Sequence, residues 1–108
     1  MRRALVILAL VVAGAAAVRA CAGPRPSVAA SWLESGPSGY VAAARIRNAG
    51  GDGEIQVNFR LRERATGRTV PAQGTAEVHR GEEVEVRVPV PAPPGDWSLE
   101  AQSEYPPR

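Results

Sequence analysis

Residues 55–62 read Ile55-Gln56-Val57-Asn58-Phe59-Arg60-Leu61-Arg62, alternating without a break between apolar and polar side chains. A β-strand turns successive side chains to opposite faces, so Ile55, Val57, Phe59 and Leu61 share one side, and Gln56, Asn58, Arg60 and Arg62 the other. The stretch predicts a half-buried strand. Working outward, the same period of two recurs. Tyr40, Ala42, Ala44 and Ile46 lie opposite Arg45 and Arg47; Val84, Val86 and Val88 alternate with Glu83, Glu85 and Arg87; and Trp97, Leu99 and Ala101 alternate with Ser98, Glu100 and Gln102. Two weaker strands are expected from Val28 to about Leu33, with Val28, Ala30 and Trp32 inward, and from Thr75 to His79, with Ala76 and Val78 inward.

The breaks between these runs carry reversal chemistry. Gly36-Pro-Ser-Gly39, Asn48-Ala-Gly-Gly-Asp-Gly53, Thr66-Gly-Arg68, Arg80-Gly-Glu82 and Pro91-Ala-Pro-Pro-Gly-Asp96 supply the glycines, prolines and short polar residues that tight turns need. Outside the N-terminal leader no segment longer than about five residues reads as helix. Six to seven short strands, each apolar on one face and charged on the other, predict an all-β, antiparallel, immunoglobulin-like β-sandwich behind an N-terminal hydrophobic helix. In that topology the second strand pairs with the fifth and the third with the strand after the fifth. Arg45 and Arg47 would then face Glu83 and Glu85 on one outer surface, and Arg60 and Arg62 would lie near Glu100 on the other. The expected core is Trp32, Tyr40, Ala42, Ala44, Ile46, Val57, Phe59, Leu61, Val84, Val86, Trp97 and Leu99.

The first 22 residues are of another kind. Arg2 and Arg3 precede fifteen residues, Ala4 to Val18, without a polar side chain, and Arg19-Ala-Cys-Ala follows. A cationic start, an apolar run and a small-residue exit read as a signal peptide or membrane anchor, which places the remainder outside the cytoplasm. Three outcomes stay open for this segment. Val18-Arg19-Ala20-Cys21 approximates a lipidation motif on Cys21 but has Arg at its second position. Ala15-Ala-Ala17 and Ala20-Cys-Ala22 offer small residues for cleavage. The apolar run extended to Gly23 is long enough to span with Arg19 reaching the headgroups. Residues 23–26, Gly-Pro-Arg-Pro, read as a stiff spacer, and residues 27–108 as one domain.

The chain has 108 residues and a formal net charge of +2. Three of its thirteen basic residues, all arginine, lie in the leader, which leaves ten arginines against eleven carboxylates from Gly23 onward. A near-neutral domain argues against a nucleic-acid partner, which requires a net basic patch. Cys21 is the only cysteine and His79 the only histidine, so neither an intrachain disulfide nor a histidine-based relay or multi-histidine metal site is expected. Gly51-Asp-Gly-Glu54 lacks the ligand count of a calcium loop, and a strand rather than a helix follows its glycines, which argues against a phosphate cradle. Glu83 and Glu85 fall on a solvated face, where nothing would raise a carboxyl pKa for acid–base work. No catalytic residue, cofactor, metal or small-molecule substrate is expected.

Ala44-Arg-Ile-Arg-Asn-Ala-Gly50, Val78-His-Arg-Gly-Glu-Glu-Val-Glu-Val86 and Pro94-Gly-Asp-Trp-Ser-Leu-Glu-Ala101 together resemble the small immunoglobulin-like modules of bacterial envelope proteins called CARDB and FxLYD domains. The FxLYD aromatic motif is absent around Phe59-Arg-Leu-Arg62, and no CARDB-like acidic tail follows Trp97. The resemblance implies an adhesive, scaffolding or accessory role without catalysis. The expected function is a membrane-associated accessory module that binds another envelope or membrane protein by surface contact or strand addition. The alternative is a binding module for an anionic lipid or glycan, with Arg45, Arg47, Arg60 and Arg62 as the surface contacts.

Overall fold

The structure, a computed structural model, describes residues 23–108. The leader, with Cys21, lies outside the described residues. Six strands follow in order: β1 Pro26–Gly36, β2 Gly39–Asn48, β3 Gly53–Glu63, β4 Thr69–Val78, β5 Glu83–Val90 and β6 Trp97–Glu104. They form two three-stranded antiparallel sheets, ordered β1-β2-β5 and β4-β3-β6. The pairing of second with fifth and third with sixth strand is the one the outward charges suggested.

The alternation read in β3 holds: Ile55, Val57, Phe59 and Leu61 are buried between the sheets. They meet Ala42, Ala44, Ile46 and Val86 from the other sheet, with Val78, Val90, Ala92 and Trp97 closing the ends. Tyr40, Val84 and Leu99, expected in the core, pack against it half-buried. The small alanines of β2 let the two sheets approach. Gly74 does the same between sheet edges, since a Cβ there would stand 2.8 Å from a Val88 methyl.

Two expectations about β1 need correction: Trp32 and Ala30 do not face the core. The ladder between β1 and β2 slips at Ala29, so that Val28 lies opposite Ile46 but Ala30 opposite Arg45. Such a bulge adds one residue on one strand and reverses the side-chain faces beyond it. Leu33, opposite Ala42, therefore enters the core, and Trp32, opposite Ala43, turns outward. The strand expected at Thr75–His79 is also longer than the sequence suggested, beginning at Thr69 and passing through Pro71.

Three of the four edge strands carry an interruption. β1 has its bulge, β4 has Pro71 and β5 has Pro89, whereas β6 runs unbroken from Trp97 to Glu104 and is followed by Pro106 and Pro107. Proline cannot donate to a ladder, and edge strands are where it is tolerated.

One end of the sandwich gathers the 49–52 and 79–82 turns with residues 23–25 and 105–108, and a single side chain ties much of it together. Asn48, 1% exposed, accepts from the Arg25 and Gly50 amides at 3.0 and 2.9 Å and donates to the Gly51 and His79 carbonyls, both at 2.9 Å. Its backbone joins Glu82 and Gly81. Gly23 and Arg25, read as part of a spacer, accept from Gly51 and Ala49 at 2.9 and 3.1 Å, and Pro24 is buried. Gly50 makes this docking possible, because a Cβ there would overlap the Gly23 carbonyl and come within 2.7 Å of the Arg25 nitrogen.

Candidate interaction surface

The bulge in β1 delivers the indole of Trp32 to the outer face of the β1-β2-β5 sheet. Its Nε1 donates to Glu34 Oε2 at 2.7 Å, and the Arg45 guanidinium lies 5.5 Å from its ring centroid. Trp32 and Glu34 are neighbours on the same strand face, two residues apart. Glu34 also accepts both terminal nitrogens of Arg87, which pairs with Glu85 at 3.1 Å. Further along the face Arg45 and Arg47 approach Glu83 at 3.9 and 3.3 Å. Beneath this layer Ala43, directly across from Trp32 and Arg87, is fully buried although it points away from the core. The face is therefore a layer of its own, with an aromatic ring seated in a chain of alternating charges.

The hydrogen bonds from Arg87 first and Trp32 second hold the Glu34 carboxyl at about 2, below its ordinary 4.5. The same contact with Glu34, helped by Glu85, pushes the Arg87 guanidinium upward. Both groups stay charged across the physiological range, so the face is a fixed pattern of charge and not a proton donor.

The outer face of β4-β3-β6 differs in kind. Arg60 pairs with Glu100 at 2.8 Å, as expected, whereas Arg62 lies opposite Ser98 and Thr69, with no ion-pair partner among the described residues. Alongside them Gln56 Nε2 donates to Asn58, Glu104 and Gln73 at 2.7, 3.2 and 3.3 Å, and its Oε1 accepts the Arg108 amide at 2.9 Å. The tail after Tyr105 thus folds back over this face, with Arg108 also paired to Glu104 at 3.1 Å. Among the described residues no aromatic ring stands on it.

At the end opposite Asn48, the β1–β2 hairpin and Pro91–Pro94 border an open cavity of about 610 Å³. Its borders are mainly glycine, proline and serine, with Tyr40, whose hydroxyl exchanges hydrogen bonds with Gly95 at 3.2 Å. Among the described residues no titratable group other than Tyr40 lines it. His79 lies at the other end, exposed, with Nδ1 3.7 Å from Asp52. Asp52 also accepts the Arg80 amide at 2.9 Å, so the Gly51-Asp-Gly-Glu54 stretch serves as a turn tie. Among the described residues no group of three His, Cys, Asp or Glu is placed to hold a metal ion.

Of the four arginines singled out in the sequence, Arg45 and Arg47 stand on one outer face and Arg60 and Arg62 on the other, so they form no common site. Sequence reasoning missed Glu34 and Arg87 and misplaced Trp32. The signal was present: in any strand Trp32 and Glu34 share a face, and an unpaired carboxylate is not buried in an apolar core. Comparison with protein families, with curated proteins and with solved structures gave no significant match.

Proposed function

We propose that this chain is a non-enzymatic, extracytoplasmic module of the immunoglobulin-like kind. It is held at the membrane by its leader and recognises another envelope or membrane protein through the outer face of β1-β2-β5. The observation that carries the reading is the position of Trp32. A tryptophan spent on an outer sheet face, locked by Glu34 and Arg45 instead of contributing to a small core, is a rigid amphipathic anchor of the type that dominates protein interfaces. The surrounding alternation of Glu34, Arg87, Glu85, Arg45, Glu83 and Arg47 supplies a rim that discriminates partners by charge register. Recognition by side chains is favoured over strand addition, because Pro71 and Pro89 interrupt the edges of β4 and β5.

The test is site-specific photo-crosslinking of the full chain in membranes of its native host. A photoreactive residue at Val41, on the Trp32 face, should trap a defined protein, and one at Thr75, on the opposite outer face, should not. Trp32→Ala should abolish the adduct without unfolding the domain. No adduct from position 41, or one indifferent to Trp32→Ala, counts against the reading.

The lipid or glycan alternative has less support on the residues first assigned to it. Arg45, Arg47 and Arg60 are each engaged by a glutamate, and only Arg62 lacks an acidic partner among the described residues.

A further inference from the structure

Seven of the ten described arginines have an ion-pair partner; Arg25, Arg62 and Arg80 have none among the described residues. Two of these three, Arg25 and Arg80, lie at the same end of the sandwich, where Gly23 enters. Of the carboxylates at this end, Asp52 accepts the Arg80 amide and Glu82 the His79 amide, both at 2.9 Å, while Glu54 and Glu77 stand opposite each other on β3 and β4. The Arg25 guanidinium reaches only the Ala49 carbonyl, at 3.3 Å. Tyr105, the one large hydrophobic side chain classed as exposed among the described residues, at 46%, is at this end too. Its ring lies against Gly23, and with Pro24 it flanks Gly53. Tyrosine and arginine are the side chains that settle at the boundary between lipid and water.

The chain sets a limit on distance. Pro24 is buried and Gly23 hydrogen-bonded, so the domain starts at Gly23, five residues beyond Val18, where the apolar run ends. Fully extended, five residues reach at most roughly 17 Å. An eleven-residue strand such as β3 runs about 35 Å, so the tether is shorter than the domain is long. Attachment through Cys21 would shorten it further.

From these three features we infer that the sandwich stands end-on against an anionic membrane, with Arg25, Arg80 and Tyr105 in the headgroup layer. This rests on the membrane tether proposed above. The two arginines contact lipid phosphates, Tyr105 takes the depth of an interfacial aromatic, and the Trp32 face stands upright, accessible from the side to a neighbouring membrane protein.

Reconstitution of the full chain into vesicles tests the inference. A fluorescent amino acid is placed at position 49, in the turn beside Arg25, or at position 65, in the β3–β4 loop at the far end. Vesicles are phosphatidylcholine with or without phosphatidylglycerol, carrying a headgroup-attached quencher. On phosphatidylglycerol vesicles the label at 49 should be quenched severalfold more than the label at 65. Arg25→Gln with Arg80→Gln should reduce the quenching at 49 to its level on neutral vesicles, while the thermal melt stays unchanged. Equal quenching at both positions in protein that floats with the vesicles overturns the orientation and leaves the tether intact. Indifference of position 49 to the double variant overturns the role of the two arginines. Protein that does not float overturns the tether and the orientation together.

Discussion

The side-chain amide of Asn48 donates to the carbonyl of His79 at 2.9 Å, across 31 residues of chain, and so ties the end of β2 to the turn that follows β4. With both amide hydrogens and both oxygen lone pairs engaged in a buried site, Asn48 has no spare bonding capacity.

Asn48→Ala leaves the Arg25 and Gly50 amides and the Gly51 and His79 carbonyls without their partner, and a buried polar group left unpaired costs about 1–3 kcal/mol. The variant should lose about 3 kcal/mol or more in denaturant titration. Asn48→Asp should also destabilise, because a carboxylate can accept from Arg25 and Gly50 but cannot donate to the two carbonyls. A loss below about 1 kcal/mol for both variants would refute the role of Asn48 as a tie.

Phe59→Ala empties a site 2% exposed between the sheets and should cost about 3–5 kcal/mol, most of the stability of a domain this size. Trp32→Ala removes the larger ring but from the outer face, where the loss is a surface cation–π contact and a partly solvated hydrogen bond. It should cost about 1 kcal/mol. Equal unfolding midpoints for the two variants would contradict the face assignment.

The Glu34 carboxyl should titrate near 2 by NMR, against an ordinary 4.5. Because the folded value is the lower one, the charged form favours folding. That contribution is present above about pH 4.5 and disappears as the pH falls through about 2. Arg87→Gln removes the larger of the two causes and should move the titration back toward 4.5, and Trp32→Phe should move it less.

Deleting Ala29 should leave the fold intact. The pairs on either side of the bulge, Val28 with Ile46 and Ala30 with Arg45, are those of an uninterrupted ladder, so removal of the extra residue changes no other side chain's face. Fluorescence of Trp32 and the low Glu34 titration should both persist in the deletion variant. A collapse of either would show that the twist of the bulge, and not the register alone, positions the indole.

The inward faces of β3, β5 and β6, and of β2 from Ala44 onward, were readable because burial of one sheet face imposes a period of two; Ala43 and Gln56, buried on the outer faces, were not. β1 was misread after Ala29 because Ala-Ala-Ser carries no glycine or proline to announce a bulge. The first half of β4 carries little strand signal of its own, since Pro71 is compatible with a ladder only at an edge. Arg45, Arg47 and Arg60 met their expected glutamates, since a charge on the solvated face shares the register of its strand. The Asn48 node and the docking of Gly23–Arg25 were not legible. Their partners lie 23 and 31 residues away, and nothing local to Asn-Ala-Gly50 distinguishes a tie from a simple turn.

The interruptions on three of the four edge strands bear on crowding. If the domain is tethered as proposed, its copies share a two-dimensional layer, where their effective concentration far exceeds that of the same number of molecules in solution. Exposed edges would there meet in parallel orientation and be prone to polymerise through backbone pairing. Ala29, Pro71 and Pro89 each break the regular run of amides such a fibre would need, so under the proposed tether densely packed copies would stay separate units along those three edges.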